Sequence, residues 1–355
     1  MNILITAPSL DPTKNVSGIA TVVNTIIENN GGYRYFHYLL GRPDGTQNPL
    51  SWLIQTMKQL CLFPFFVKKN KIDVVHQNLP FDPKGLMREW IINGWCRLLK
   101  VPVILHIHGG VFLTEKTVNP FYVRLSQSLF NHSKRVLVLS EIEKQVLAED
   151  YGFAEAVILH NSVNVAEYEN KGKKINTQMP VFLFLGRIHE SKGIEDIVLA
   201  FEKLRKQRAF KFILCGNGPL RDEMISACEN ILGKDFEYAG IVSGKDKIEI
   251  IKRADFFLLP SHFEGLPMAL LETMAAGVIP IVTGDTSMKY VVEDGINGIW
   301  VNKSDPADLH KKISNILTDE PLCNRLSLKA KETIEKDYAI NKSVENLNLI
   351  YNTIG

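Results

Sequence analysis

The stretch PSHFEGLPMALLE, residues 260–272, carries two glutamates, Glu264 and Glu272, with seven residues between them. It directly follows the apolar run DFFLL, which is typical of a buried β-strand. Glu264 falls in a polar loop. Pro267 falls where we predict the first helical position, because its fixed φ suits that position and its missing N–H costs nothing there. The stretch therefore predicts a strand, a loop and a helix N-terminus, with Glu272 in the second helical turn.

This predicted helix N-terminus has the chemistry of a ligand site. Unpaired backbone N–H groups around residues 266–270 favour an anion such as phosphate. Carboxylates accept hydrogen bonds from hydroxyls and can stabilise positive charge that develops at an anomeric carbon. A ligand with phosphate at one end and hydroxyls at the other fits this pattern. A solvated loop glutamate and a surface helix glutamate fit the isolated stretch equally well.

Composition and charge restrict the class of protein. The chain has 355 residues, 45% apolar and 23% charged, which favours two globular domains. A net charge of +2, without a basic stripe, argues against a nucleic-acid partner. Five scattered cysteines without CxxC spacing are typical of reduced thiols. With no signal peptide and no apolar run of about 18 residues, we expect a cytoplasmic protein.

Strand-like and helix-like segments alternate along the chain. Near-continuous apolar strands between helices predict parallel sheets covered on both faces, and hence an α/β fold with two doubly wound domains. The polar run AEYENKGKKINTQMP, residues 166–180, has linker composition. We therefore predict a first domain at 1–164 and a second at 165–340, followed by a last helix within 341–355. The predicted strands are NILITA, DVVHQN, VPVILHIH, RVLVLS, AVILHN, VFLFLG, FKFILCG, DFFLLP and VIPIVT.

Ligands of such sheets bind beyond the carboxyl ends of the strands, and polar or glycine residues follow several predicted strands. Arg187 and Lys192 follow VFLFLG, and cations at a strand end favour phosphate. Gly18 precedes a predicted helix, where a glycine lets backbone N–H groups approach a ligand. His106 and His108 share one face of a strand end. A metal site needs at least three ligands, and no companion spacing supplies them.

Several enzyme classes lack their motif. The GNGP turn at residues 216–219 is not a dinucleotide fingerprint, because Arg221 stands at the third glycine position. There is also no GxxxxGK[ST] motif and no serine or cysteine nucleophile elbow. These absences argue against a nicotinamide enzyme, a P-loop NTPase and a hydrolase of that type.

The ordered motifs R-x4-K, GNGP, the strand end AGIVS, and E-x7-E resemble those of retaining glycosyltransferases of family GT4, which have the GT-B fold. This resemblance implies two Rossmann-like domains facing across a cleft. It also implies a nucleotide-diphosphate sugar donor, in which the sugar is linked to UDP or GDP, and no metal or other cofactor. The implied acceptor is a saccharide or a lipid-linked saccharide, used in assembling a bacterial surface polysaccharide or glycolipid. Relatives often have two adjacent glycines where this chain has Ser17-Gly18. The first half therefore matches less specifically than the second.

The resemblance also implies residue roles. Arg187 and Lys192 would hold the diphosphate, Glu264 the sugar hydroxyls, and Glu272 the ribose, while His108 would approach the transferred hexose. It further implies that the last helix packs on the first domain. The catalytic set is Glu264, His108, Arg187 and Lys192. The remaining substrate-binding residues are Gly18, Gly109, Asn217, Gly218, Ile241, Gly265, Leu266, Pro267, Met268, Ala269 and Glu272.

Two alternatives share this fold: a nucleotide-sugar 2-epimerase, and a non-catalytic GT-B binding protein. The epimerases resemble this chain less around E-x7-E, and the intact charged residues argue against a degenerate protein.

Two stretches of the first half combine aromatic, aliphatic and basic residues. They span 51–71 and 84–100 and include Trp52, Phe65 and Trp90. Such composition suits the lipid headgroup boundary, so we consider weak peripheral contact with the inner membrane face. The same residues also suit helix faces buried on a sheet, and the sequence leaves both interpretations open. Pro64 predicts a break in the first stretch.

Overall fold

A computed structural model describes residues 1–11, 15, 17–41, 49–117, 119–284 and 286–354. The chain divides into two compact units. Unit 1 comprises Met1–Asn161 and Ile340–Gly355, and unit 2 comprises Ser162–Ala339. The predicted boundary, between residues 164 and 165, falls close to this division. No helix in the described part of the chain has the length and apolar content needed to cross a bilayer.

Unit 1 is built on a six-stranded parallel sheet in the order β2-β1-β3-β4-β5-β6. Its elements up to residue 158 are β1 (Asn2–Ala7), α1 (Gly18–Asn29), β2 (Arg34–Leu39), α2 (Pro49–Lys69), β3 (Val74–Leu79), α3 (Pro83–Leu99), β4 (Val103–Ile107), α4 (Val111–Thr114), α5 (Pro120–Asn131), β5 (Arg135–Val138), α6 (Glu141–Tyr151) and β6 (Val157–Ile158).

Unit 2 has a second six-stranded parallel sheet in the order β12-β11-β10-β7-β8-β9. Its elements are α7 (Val165–Tyr168), β7 (Val181–Leu185), α8 (Ile194–Arg205), β8 (Lys211–Cys215), α9 (Arg221–Leu232), β9 (Phe236–Gly240), α10 (Gly244–Arg253), β10 (Phe256–Leu259), α11 (Met268–Ala275), β11 (Ile279–Thr283), β12 (Ile299–Val301), α12 (Pro306–Ile316) and α13 (Glu320–Asp337). The predicted α/β class with two doubly wound sheets is confirmed.

The strand order of unit 2 creates a crevice between two loops. The chain runs outward from β7 through β8 to β9, and then returns to β10 on the other side of β7. The connections after β7 and β10 therefore leave toward opposite faces of the sheet, and a crevice opens between them at the strand ends. The two motifs R-x4-K and E-x7-E follow these two strands.

The last helix, α14 (Ile340–Asn352), packs on unit 1. The Asn30 side-chain amide donates to Asn348 Oδ1 at 2.8 Å. Tyr351 is fully buried, and its hydroxyl lies 2.7 Å from His76 Nδ1. Residues far apart in sequence thus build one polar cluster inside this unit.

Two strands were not predicted, namely β2 and β12, whereas β9 ends within the AGIVS motif. The sequence of β2, RYFHYL, mixes aromatic and polar residues, and only one of its six residues is buried at the sheet edge. The strand β12 has three residues. The alternation of apolar and polar residues in β2 is too weak to indicate a strand, and the apolar run of β12 is too short.

The prediction that Pro64 breaks the first mixed stretch is wrong, because α2 continues through it. Leu60, Phe63 and Val67 of α2 are buried in a core cluster with Tyr38 and other residues of this unit. Burial of these side chains offsets the backbone hydrogen bond that proline cannot donate.

The run 166–180 is not a free linker. Tyr168 and Ile175 are buried, and the Lys173 ammonium donates to the carbonyls of Lys252 and Ala254. Its polar composition was misleading, because this lysine satisfies backbone acceptors of unit 2 instead of facing water.

Candidate functional site

The loops after β7 and β10 touch each other through their backbones. Gly193 has φ +65°, and a Cβ there would lie 2.3 Å from Pro260 O, so only glycine permits this approach. The His262 N–H also donates to Ser191 O at 2.9 Å. These contacts bring the ends of the two motifs together.

Lys192 and Glu264 form an ion pair across this junction. Lys192 Nζ lies 2.6 Å from Glu264 Oε1, and the Ser261 hydroxyl donates to the same oxygen at 2.8 Å. The Glu264 side chain is 10% exposed. No described residue meets Glu264 Oε2, which leaves that oxygen available to a ligand hydroxyl. The sequence predicted both residues for the site but not their contact.

Arg187 lies two residues beyond β7 and is exposed. Within the described residues its guanidinium has no ion-pair or hydrogen-bond partner. It is therefore a free cation on the same loop as Lys192, and it can bind an anion without first giving up a protein contact.

The N-terminus of α11 differs from the prediction by one position. Helix α11 begins at Met268, and Pro267 is its N-cap, with φ −70° and ψ 127°. Extended ψ at this position suits the cap and not the first helical residue. Leu270 N–H donates to Pro267 O at 3.1 Å, so it is not free, contrary to the predicted range. The N–H groups of Met268 and Ala269 have no acceptor among the described residues.

The loop before this helix is tethered by a residue that the sequence did not indicate. The Ser287 hydroxyl contacts the carbonyl oxygens of both Glu264 and Gly265. Because these carbonyls are held, the loop is fixed where it leads into the start of α11 at Met268.

Glu272 is also paired. It is 3% exposed, and Lys247 Nζ of α10 lies 2.6 Å from its Oε1. The Tyr168 hydroxyl hydrogen-bonds to Glu272, and burial together with this carboxylate raises the pKa of Tyr168, so the phenol stays protonated. Neither Lys247 nor Tyr168 was predicted, since nothing in their local sequence marks them.

The turn after β8 packs closely on the turn after β7. A Cβ on Gly216 would lie 1.8 Å from Gly186 O, so this position requires glycine. Asn217 Oδ1 accepts from Gly218 N–H at 2.8 Å, which turns the amide onto its own loop. Ile241 follows β9 and is 50% exposed. The predicted residues of these loops thus lie at the same sheet edge as Arg187.

The other predicted residues lie in unit 1. Gly18 is the exposed first residue of α1, not the residue before it, and Ser17 is the N-cap. Gly109 has φ +73°. His108 Nε2 lies 2.6 Å from Asn78 Oδ1, and the rings of His106 and His108 have centroids 4.0 Å apart.

These histidines belong to a buried cluster. His76 Nε2 lies 3.4 Å from His106 Nδ1. Burial lowers the pKa of His76 to about 3 and that of His108 to about 3, and it lowers the pKa of His106 well below its usual range. The three rings are therefore neutral at physiological pH. Among the residues that the structure describes, no group of three or more His, Cys, Asp or Glu side chains could hold a metal ion.

In unit 2 the arrangement combines three kinds of groups at one crevice. Arg187 and Lys192 supply positive charge, the start of α11 supplies N–H donors, and Glu264 and Glu272 supply acceptors for hydroxyls. Positive charge and aligned N–H groups stabilise an anionic leaving group. The geometry suits a phosphorylated, polyhydroxylated ligand.

Two family models match the chain. The model described as "Glycosyl transferases group 1" matches residues 165–333, and "Glycosyltransferase Family 4" matches residues 32–167. The division between the two matches falls close to the boundary between the two units.

Similar proteins include an uncharacterized glycosyltransferase, MJ1607, of Methanocaldococcus jannaschii. It is 24% identical over 319 residues, covering 84% of this chain and 80% of that protein. A UDP-Gal:alpha-D-GlcNAc-diphosphoundecaprenol alpha-1,3-galactosyltransferase of Escherichia coli is 23% identical over 316 residues, with coverage of 84% and 80%. The structure of Anabaena HepE in complex with UDP-glucose matches with a TM-score of 0.79 at 14% identity, covering 99% of this chain and 100% of that chain.

The likeness to the solved structure shows a shared fold, and the two family matches together extend from residue 32 to residue 333. The chain therefore belongs to the family 4 glycosyltransferases and has their GT-B fold.

Proposed function

We propose that this glycosyltransferase is a retaining, metal-independent hexosyltransferase that uses a nucleotide-diphosphate hexose. The observation that carries the proposal is the contact between Lys192 and Glu264 at 2.6 Å. In this contact the ammonium that would bind phosphate lies beside a carboxylate with one open oxygen. A diphosphate and the sugar attached to it are adjacent in the donor, as these two side chains are in the site.

The residues take separate roles in this proposal. Arg187 and Lys192 neutralise the diphosphate as it leaves, which is the electrostatic role that a divalent cation has in other transferases. The N–H groups of Met268 and Ala269 bind sugar or phosphate oxygens. Glu264 accepts from the hexose hydroxyls and stabilises the oxocarbenium-like transition state, and Glu272 accepts from the ribose. The acceptor hydroxyl attacks on the face that the nucleotide leaves, and the departing phosphate takes its proton.

The names of similar proteins favour a UDP-linked donor over a GDP-linked one. HepE was solved with UDP-glucose, and the Escherichia coli relative uses UDP-Gal and a diphosphoundecaprenol-linked acceptor. These names support a UDP-hexose donor and a saccharide or lipid-linked saccharide acceptor. A role in bacterial surface polysaccharide or glycolipid assembly follows from that acceptor class.

The test is a transfer assay with UDP- and GDP-hexoses in EDTA. We expect UDP release that needs the acceptor, an unchanged rate in EDTA, and a product with the donor's anomeric configuration by NMR. At 100 times its Kd, UDP should stabilise the protein by about 2.7 kcal/mol, visible as a thermal shift. Activity abolished by EDTA and restored by Mg²⁺ or Mn²⁺ contradicts metal independence, and an inverted product contradicts retention.

The same assay separates the alternative functions. A 2-epimerase changes the sugar at C2 and does not need an acceptor. A non-catalytic binding protein binds UDP, which gives the thermal shift, but releases no nucleotide from UDP-hexose. Acceptor-dependent release of UDP is expected only of the transferase.

We also propose that unit 1 makes weak contact with an anionic membrane surface. Helix α2 has an exposed apolar face although its other face is in the core, and Ile54 and Phe65 are 61% and 67% exposed. Residues 49–71 contain four lysines and no Asp or Glu. In the neighbouring α3, Trp90 and Leu98 are 42% and 75% exposed. Exposed apolar side chains beside unopposed cations fit a headgroup boundary. The side chain of Trp52 lies outside the described part of the structure.

Liposome co-sedimentation tests this contact. We expect binding to vesicles with anionic lipid, weaker at high salt, and roughly tenfold weaker or more in Lys68/Lys69→Glu, because each basic residue contributes about 1 kcal/mol near such a surface. The matched control is Lys203/Lys206→Glu, which reverses two exposed charges in unit 2. Equal sedimentation of both variants, or none of the wild type under any condition, refutes the contact.

A further inference from the structure

A short 3₁₀ turn, Glu190–Lys192, carries Lys192 into the candidate site of unit 2. The N-cap of this turn is His189, with φ −145° and ψ 149°. His189 Nδ1 accepts from the Ser191 N–H at 3.1 Å, and the Ser191 hydroxyl lies 2.9 Å from the same nitrogen. The His189 carbonyl accepts from the Lys192 N–H at 2.9 Å. His189 therefore holds the N–H groups of both Ser191 and Lys192.

These contacts assign the state of the His189 ring. A backbone N–H can only donate, so Nδ1 must present its lone pair to Ser191. In the neutral imidazole the proton is then on Nε2. Among the described residues, His189 is the acceptor for the Ser191 N–H. The cap therefore requires a side-chain acceptor at position 189, and a side chain without one loses it.

The capped turn is also fastened to the loop that carries Glu264. The carbonyl of Ser191 accepts from the His262 N–H at 2.9 Å, so both backbone polar groups of Ser191 are held. The next residue is Lys192, whose Nζ lies 2.6 Å from Glu264 Oε1. A 3₁₀ turn of three residues makes few hydrogen bonds of its own, so the position of Lys192 depends on these contacts at the two ends of the turn.

We propose that His189 is a positioning residue for the donor diphosphate, because it caps the turn at residues 190–192 and so fixes Lys192. Since the proposed function assigns the diphosphate to Lys192, this role of His189 rests on that function. The affinity for phosphate then depends on a side chain that acts only through Lys192. Without the cap, only a fraction of the molecules holds Lys192 in the binding arrangement, and the apparent affinity falls by that fraction.

Calorimetry with UDP tests this role. His189→Ala should bind UDP roughly threefold to tenfold more weakly than the wild type, which is the range expected when an N-cap acceptor is lost. Asparagine supplies a different acceptor that is favoured at N-caps, so His189→Asn should restore the affinity to within about twofold of the wild type. The kcat/KM for the nucleotide sugar should follow the same order.

A double variant separates positioning from direct contact with the ligand. In a Lys192→Ala background, His189→Ala should cause no further loss of UDP affinity, because the residue that it positions is absent. If the His189 ring itself contacted the phosphate, its removal would weaken UDP binding in both backgrounds.

The matched control removes another N-cap of unit 2. Asp319 is the N-cap of α13, and its carboxylate accepts from the Leu322 N–H at 2.9 Å. Asp319→Ala should lower the melting temperature, since the helix loses its cap. Its UDP affinity, measured well below that temperature, should equal that of the wild type.

The possible results are distinct. Wild-type UDP affinity in His189→Ala overturns the role of His189. So does an equal loss in His189→Ala and His189→Asn, an undiminished further loss in the Lys192→Ala background, or an equal loss in Asp319→Ala. Because calorimetry requires no sugar transfer, a wild type that shows the expected UDP affinities but transfers no hexose overturns the proposed function and supports the role of His189. A wild type that binds neither UDP nor GDP overturns both.

Discussion

Lys192→Ala is expected to lower kcat/KM for the nucleotide sugar by roughly ten- to a hundredfold. A charge-assisted hydrogen bond contributes about 1.5–3 kcal/mol, and Lys192 also neutralises charge on the leaving group. Arg187→Ala should have an effect of similar size. Unlike Lys192, its guanidinium is exposed and has no partner among the described residues, so its removal changes no protein contact. Steady-state kinetics and calorimetry with UDP measure both effects.

The effect of Lys192→Ala also includes the loss of an ion pair within the protein. Because Lys192 contacts Glu264 at 2.6 Å, removal of the lysine also leaves a mostly buried carboxylate without its cation. Glu264→Gln should mainly reduce turnover while UDP still binds. The double variant Lys192→Ala/Glu264→Gln should then lose less than the sum of the two single effects, as residues in contact usually do.

A control with the same chemistry is available in this unit. Lys203 is an exposed lysine in the last turn of α8, and Lys203→Ala should leave kcat/KM and UDP affinity unchanged. If the Arg187/Lys192 double variant binds UDP with wild-type affinity in calorimetry, the assignment of these cations to the diphosphate is wrong.

Acid is expected to destabilise the chain through the buried histidines of unit 1. Folding lowers the pKa of His76 and of His108 to about 3 from an ordinary 6.5. For a group with a depressed folded pKa, stability is present above the unfolded value and is lost as the pH falls below it. Each such histidine therefore removes about 1.4 kcal/mol of unfolding free energy per pH unit below 6.5, down to about pH 3.

A buried acid of the same unit has the opposite sign. Burial raises the pKa of Glu143 to about 7 from 4.5, so its contribution is present below pH 4.5 and is lost as the pH rises toward 7. The wild-type curve between pH 4.5 and 6.5 is thus a difference of opposing effects. A comparison with one histidine removed isolates the effect of that histidine.

The comparison is His76→Gln against wild type in urea unfolding at several pH values. At pH 8 the variant should be less stable, since it loses the contact with Tyr351. The deficit should shrink by about 1.4 kcal/mol per pH unit below 6.5, because glutamine takes up no proton. His132→Gln changes an exposed histidine of the same unit. Its free energy of unfolding should change with pH in parallel with that of the wild type. A deficit for His76→Gln that is independent of pH contradicts the buried, neutral ring.

The sequence predicted those strands and helices that have a clear local pattern of apolar residues. The apolar runs predicted the central strands of both sheets, and the strand–loop–helix pattern at residues 256–275 placed Glu264 and Glu272 on the right elements. It missed β2 and β12, whose patterns are mixed or short. It also misjudged Pro64, since the packing of Phe63 and its neighbours outweighs a local rule about proline.

The partners of the candidate site were beyond such patterns. Lys192 and Glu264 are 72 positions apart, and Lys247 and Glu272 are 25 apart. Whether the two residues of a pair meet depends on which strands are neighbours in the sheet. A local sequence pattern does not predict that β10 lies beside β7. The same holds for Ser287 on the carbonyls of Glu264 and Gly265.

By itself, then, the sequence determined the α/β class and the positions of the central strands, because both depend on hydrophobic periodicity over about ten residues. Tertiary structure alone decided which charges are paired and which are free, and which polar side chains are buried against one another. Those properties arise from contacts between residues such as Asn78 and His108, or His76 and Tyr351 at a separation of 275 positions. Packing of the whole unit brings these residues together and excludes water from them.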